Sequence, residues 1–140
     1  MPDVAKPEVT KEDKKAASQK TVVCIEDDRD FLDLIRLMLN DANLKVITAL
    51  GGQAGLEAIR QNHPDLVLLD LMMPDMHGWE VYMKMRADEQ SSNIPVIVVT
   101  ALATQYDRSF GLRVAKVADY ITKPFMASHL RERIQAVLHN

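Results

Sequence analysis

Residues 66–75 read LVLLDLMMPD. Four aliphatic side chains in a row, Leu66 to Leu69, show no polar alternation, as expected of a strand buried on both faces. The run stops at a carboxylate, Asp70. An ionised carboxylate loses its hydration in an apolar interior. Asp70 therefore belongs where the strand leaves the core and enters a polar crevice. Open α/β sheets keep such crevices beyond the carboxyl ends of their strands. The stretch predicts a parallel-sheet protein with its chemistry at the strand ends.

The rest of the chain repeats the pattern. Short runs rich in β-branched residues occur at TVVCI (21–25), LKVIT (44–48), DLVLL (65–69), IPVIVVT (94–100) and DYIT (119–122). Segments of helical periodicity separate them. RDFLDLIRLMLND (29–41) places Phe31, Leu34, Ile35, Met38 and Leu39 on one face, and GQAGLEAIRQN (52–62) repeats Ala54, Ala58 and Ile59. GWEVYMKMRAD (78–88) and TQYDRSFGLRVAK (104–116) follow, the latter weakened by Gly111 in its interior. MASHLRERIQAVLHN closes the chain with Met126, Leu130, Ile134, Val137 and Leu138 spaced for one face. Five strands and five helices in strict alternation predict a doubly wound α/β fold, a parallel sheet with helices on both sides. Right-handed crossovers bring every strand's carboxyl end to one edge.

Composition narrows the class. At 140 residues the chain has the size of one domain, and 47% hydrophobic with 26% charged residues is an ordinary globular balance. A net charge of −3 argues against nucleic acid, whose ligands normally carry a basic excess. One cysteine, Cys24, excludes an internal disulfide and suits a reducing cytoplasm. No apolar run approaches the roughly eighteen residues of a membrane span, and the N-terminus lacks the apolar core of a signal peptide. Residues 1–20, with two prolines, five lysines and four acids, are expected to form a disordered tail. The folded domain is expected to cover 21–140.

Four strand ends carry polar groups: Glu26, Asp27 and Asp28 after the first, Asp70 after the third, Thr100 after the fourth, and Lys123 after the fifth. Clustered carboxylates repel unless a cation neutralises them. An all-oxygen site that leaves positions to water suits Mg²⁺, which favours phosphate partners. An amine and a hydroxyl beside it can meet the remaining oxygens of a phosphoryl group.

In this order the chain from Lys20 to Asn140 resembles the receiver domain of two-component response regulators. The matched elements are the acid pair Glu26–Asp27, Asp70 with MPD (73–75) after it, Gly78, VVTA around Thr100, and KPF (123–125). The resemblance implies a flavodoxin-like five-stranded sheet of order 2-1-3-4-5. It implies that Asp70 accepts a phosphoryl group from the phosphohistidine of a histidine kinase or histidine phosphotransfer protein. Asp27, Asp70 and the Met72 carbonyl would ligate Mg²⁺, with Glu26 acting through a bound water. Lys123 and Thr100 would hold phosphoryl oxygens, and Tyr120 would be the switch aromatic that moves with Thr100. Met72 and Leu102 would flank the path of an attacking water and slow the loss of phosphate. The protein would catalyse only its own phosphorylation and dephosphorylation. It would act on a downstream protein target as a monomer or a phosphorylation-dependent dimer, without nucleic acid or membrane. Two departures stand out: Lys116 and Val117 replace a usual Gly-Ala pair, and His77 replaces a common acid.

Other readings compete at particular residues. Asp28 is better explained as the N-cap of the first helix than as a metal group, and Cys24 as a small buried hydrophobe. His63, His77, His129 and His139 show no ligand spacing and read as surface residues. Trp79, nine residues past Asp70, is expected to report on the site. An aspartyl-phosphate hydrolase would carry a second acid where Met72 stands, and neither glycine-rich nucleotide motif occurs. The start at Met1 and the end just after the last helix favour a stand-alone receiver. The alternative is a receiver excised from a larger regulator or hybrid histidine kinase.

Overall fold

The computed structural model describes residues 19–40 and 43–139. The expected tail therefore lies outside the described residues, except for Gln19 and for Lys20, which already belongs to the first strand. Five strands, β1 (Lys20–Glu26), β2 (Leu44–Leu50), β3 (Leu66–Leu69), β4 (Val96–Thr100) and β5 (Asp119–Thr122), form one parallel sheet. Their order is β2-β1-β3-β4-β5. The helices are α1 (Arg29–Leu39), α2 (Gly52–Asn62), α3 (Gly78–Ala87), α4 (Gln105–Ser109) and α5 (Ala127–Leu138). α4 runs on into a π-helical turn, Phe110–Ala115.

Alternate strand residues feed two separate cores, because successive side chains point to opposite faces. Val23, Ile25, Val67, Leu69 and Val98 pack with Ile59 of α2 and with Val81, Tyr82 and Met85 of α3. Val22, Cys24, Leu66, Leu68, Ile97 and Val99 pack with Leu32, Ile35 and Leu39 of α1 and with Leu130 and Ile134 of α5. Burial pushes the Cys24 thiol up to about 12, with Glu26 adding to the rise. It is an inert core residue.

Helix phase differs in detail from the spacing read off the sequence. In α1 the buried stripe is Leu32, Ile35 and Leu39, while Leu34 is 43% exposed. In α2 Ile59 is buried as expected, but with Gly52 and Gly55 rather than Ala54; the helix packs so closely at Gly55 that a Cβ there would lie 2.5 Å from Ile25 Cδ1. A residue without a side chain gives no hydrophobic signal, so this contact is silent in the sequence. Asp28 caps α1 as expected, accepting from the Asp30 and Phe31 amides at 3.0 and 3.3 Å. Among the described residues no helix is long and apolar enough to cross a membrane.

Candidate functional site

The parallel topology gathers the strand-end residues on one edge. Glu26, the last residue of β1, and Asp70, the first after β3, are both buried, whereas Asp27 is exposed. Carboxylate oxygens of all three lie within 4.8 Å of one another. From the end of β5, Lys123 brings its Nζ to 2.5 Å from Glu26 Oε2 and 3.4 Å from Asp70 Oδ2. The ammonium also sits over the Phe31 ring, 3.9 Å from its centroid, and Phe31 packs edge-on against Phe125. Thr100, the last residue of β4, is fully buried, and its hydroxyl accepts a long bond from the Leu102 amide at 3.4 Å.

One ammonium cannot balance three carboxylates. Burial pushes the Glu26 carboxyl up to about 8, with the Asp70 and Asp27 carboxyls adding to the rise and Lys123 opposing it. For Lys123, burial alone would lower the pKa, but Glu26 and Asp70 beside it raise it overall. The excess negative charge and the all-oxygen donor set fit a small hard divalent cation with water in its remaining positions.

Loop geometry fixes this cluster. Asp70 Oδ1 accepts the Met72 amide at 3.2 Å, and the Gly78 amide donates to the Leu71 carbonyl at 2.8 Å. Gly78 is required by space: a Cβ there would stand 2.4 Å from the Asp70 carbonyl oxygen. Met72 is exposed, and with Met73, Pro74, His77 and Leu102 it lines an open depression of about 500 Å³. His77 caps α3 with Nδ1, accepting from the Trp79 amide at 3.2 Å. All four histidines are exposed.

Two features of the site are unreadable in the sequence. Asp75 reaches across to α2, accepting from the Gly52 and Gln53 amides at 3.1 and 3.2 Å. It thereby caps a helix whose own N-cap residue, Gly51, has φ +96° and no side chain to offer. Those amides hold the Asp75 carboxyl below its usual range. The second feature is the aromatic packing behind Thr100. Tyr120 is buried, donates to the Leu102 carbonyl at 2.6 Å, and lies against Gly111. Trp79 packs edge-on against Phe110 and Tyr82, so its indole faces the α4 side of the site.

The fold and site together define a flavodoxin-like α/β protein with an acidic, lysine-bearing pocket at the carboxyl edge of its sheet. The model of the response regulator receiver domain family matches residues 22–135, and the chain belongs to that family. Response regulator ArlR of Staphylococcus haemolyticus is 37% identical over 117 residues, 84% of this chain and 52% of ArlR. The probable transcriptional regulator ycf27 of Porphyridium aerugineum is 35% identical over 120 residues, 86% of this chain and 48% of its own length. The chain thus spans about half the length of these curated relatives. A CheY-like receiver domain protein from Methanospirillum hungatei, of known structure, superposes with a TM-score of 0.77 at 30% identity. That match covers 87% of this chain and 95% of the other.

Proposed function

We propose that this receiver domain is a phosphoacceptor in two-component or phosphorelay signalling, with Asp70 as the residue phosphorylated. The donor is the phosphohistidine of a histidine kinase or histidine phosphotransfer protein. Asp70 attacks the phosphorus, the P–N bond breaks, and its electron pair returns to the imidazole. Such transfer depends mainly on positioning and charge neutralisation. Lys123 already lies 3.4 Å from Asp70, close enough to take up one phosphoryl oxygen, and Thr100 would donate to another. Asp27, Asp70 and the Met72 carbonyl would hold Mg²⁺, with Glu26 reaching it through water. The ion would neutralise charge on the phosphoryl oxygens.

Phosphorylation then shifts an equilibrium in which Thr100 moves toward Asp70 and Tyr120 occupies the space behind it. The output is altered binding of a downstream protein, by a monomer or a phosphorylation-dependent dimer, without nucleic acid or membrane. We place the protein in the cytoplasm, a location that the free, buried thiol of Cys24 suits. Beyond its own phosphorylation and dephosphorylation it needs no catalytic activity. A second reading, in which the domain controls an output module of a longer regulator, is favoured by relatives about twice its length.

The observation that carries the proposal is the three carboxylates within 4.8 Å of one another, with Lys123 among them. The test treats the protein with a small phosphodonor such as acetyl phosphate, with and without Mg²⁺, and weighs the product. One phosphate should be added, only with Mg²⁺, and none to Asp70→Asn. Equal labelling of that variant would refute the assignment.

A further inference from the structure

The π-helical turn that ends α4 is held from below by α3. Tyr82, 7% exposed, donates its hydroxyl to the Ala115 carbonyl at 2.5 Å. The same hydroxyl accepts from Arg86 Nε at 3.2 Å, which leaves its proton free to point at Ala115. Arg86 is itself fixed. Its Nη1 donates to the Ile94 carbonyl at 3.0 Å, and its guanidinium lies over the Tyr82 ring at 4.6 Å.

The turn that Tyr82 secures is the wall against which Tyr120 rests. A Cβ on Gly111 would lie 2.9 Å from Tyr120 Cδ2 and 3.3 Å from Trp79 Cη2, so backbone and ring are in direct contact there. The far side of Tyr120 is also tied. Its hydroxyl bonds to the Leu102 carbonyl, and its own carbonyl accepts from Arg108 Nη1 at 2.9 Å. Leu102 in turn bonds to Thr100. A continuous set of contacts therefore runs from Thr100 through Tyr120 and Gly111 to Ala115, and ends at Tyr82. Single π-helical turns inside helices commonly mark functional positions. Here the wider turn sits where Gly111 meets Tyr120.

We propose that Tyr82 is a positioning residue for the switch: by holding Ala115 it presses the π-helical turn onto Tyr120 and favours the buried ring. The proposal rests on the receiver reading above. Because linkage is reciprocal, a contact that favours the buried ring also favours a phosphoryl group on Asp70. The latch should therefore be measurable at the acid site, although among the described residues the Tyr82 hydroxyl bonds only to Ala115 and Arg86.

The experiment compares the full chain with Tyr82→Phe, which keeps the ring and removes only the hydroxyl. Calorimetry gives the Mg²⁺ affinity first, then the affinity for beryllofluoride, a phosphoryl mimic, in saturating Mg²⁺. Hydrogen exchange follows the Val117 amide, which donates to the Gly111 carbonyl at 3.0 Å and closes the turn. We expect Mg²⁺ affinity to change by less than about twofold, beryllofluoride affinity to fall roughly fivefold, and Val117 exchange to accelerate about tenfold, the scale of one lost hydrogen bond. Gly111→Ala, whose Cβ would stand 2.9 Å from Tyr120 Cδ2 and so displace the buried ring, should also weaken beryllofluoride and spare Mg²⁺. Unchanged beryllofluoride affinity in Tyr82→Phe, or a parallel loss of Mg²⁺ affinity, would overturn the latch. Failure of the unaltered protein to bind either probe would instead overturn the receiver reading beneath it.

Discussion

The carboxyl edge of the sheet has two halves, built on different principles. On the β1–β3 side, Glu26, Asp70 and Lys123 interact by charge, and backbone hydrogen bonds hold the loops that carry them. The Gly51 amide donates to the Glu26 carbonyl at 2.9 Å, Gly78 to Leu71 at 2.8 Å, and Asp75 grips α2. On the β4–β5 side, the Thr100 hydroxyl makes one long bond, and Tyr120, Gly111, Phe110, Trp79 and Tyr82 pack by shape, tied only at the Tyr120 and Tyr82 hydroxyls. The difference follows from the tasks proposed for each. Coulombic catalysis needs groups that do not reorganise. A switch needs an element with two arrangements of similar energy, and packed rings can exchange arrangements where fixed charges cannot.

The sharpest way to break this comparison is to disturb the rigid half at Gly78. An alanine there must displace the Asp70 carbonyl or the Leu71 Cα, which its Cβ would meet at 2.4 and 2.6 Å. Backbone cannot swing aside as a side chain does. Gly78→Ala should cost about 3 kcal/mol of stability, at the upper end of overpacking effects. It should also weaken Mg²⁺ binding, because the displaced loop carries Asp70 and Met72. Urea denaturation and Mg²⁺ titration measure the two effects. A loss below about 1 kcal/mol would show that the loop yields, and that the two halves are equally soft.

A smaller effect is expected at Asp75, which ties the same loop to α2. Replacing it with alanine removes an N-cap, worth about 1 kcal/mol in typical helices. Its exposure to solvent places the effect at the lower end. The folded state depresses this carboxyl, so its contribution is complete above the unfolded value near 3.8 and is lost as the pH falls through the folded value. The stability gap between Asp75→Ala and the unaltered chain should therefore hold constant at neutral pH and narrow below about pH 3.8. A gap that stays constant in acid would mean that packing, not the charged cap, is what Asp75 supplies.

These two halves were also unequally legible from sequence. Strand-end acids announce themselves because an apolar run such as LVLL cannot absorb a charge, and the family spacing adds Lys123 and Thr100. Five strands, their boundaries within about two residues, and the parallel order follow from the same runs and that resemblance. What the sequence hides is contact across long separations and contact through missing side chains. Asp75 lies 23 residues from Gly52, and nothing local points it there. Gly111 reads as a flaw in a helix, yet it is the surface Tyr120 rests on. Nothing in the sequence singles out Tyr82, because its hydroxyl's partner on Ala115 is 33 residues away. Leu34 falls off the buried face of α1 because it stands two residues from Leu32, about 200° around the helix.

The gentlest probe falls on the soft half. Lys116 closes the π-helical turn with φ 60° and ψ 44°, the left-handed region, at a position where receivers usually carry glycine. For a residue with a Cβ that conformation costs roughly 1–2 kcal/mol. Glycine would remove the strain, but it would also enlarge the unfolded ensemble, which returns about 0.4–1 kcal/mol of the gain. Lys116→Gly should therefore stabilise the chain by only about 0.5 kcal/mol, read as a small rise in the urea midpoint with unchanged slope. Relief of strain beside Ala115 should leave the Tyr82 bond in place, so beryllofluoride affinity should change by less than twofold. A loss of stability would mean that the lysine side chain contributes more at this turn than its backbone costs.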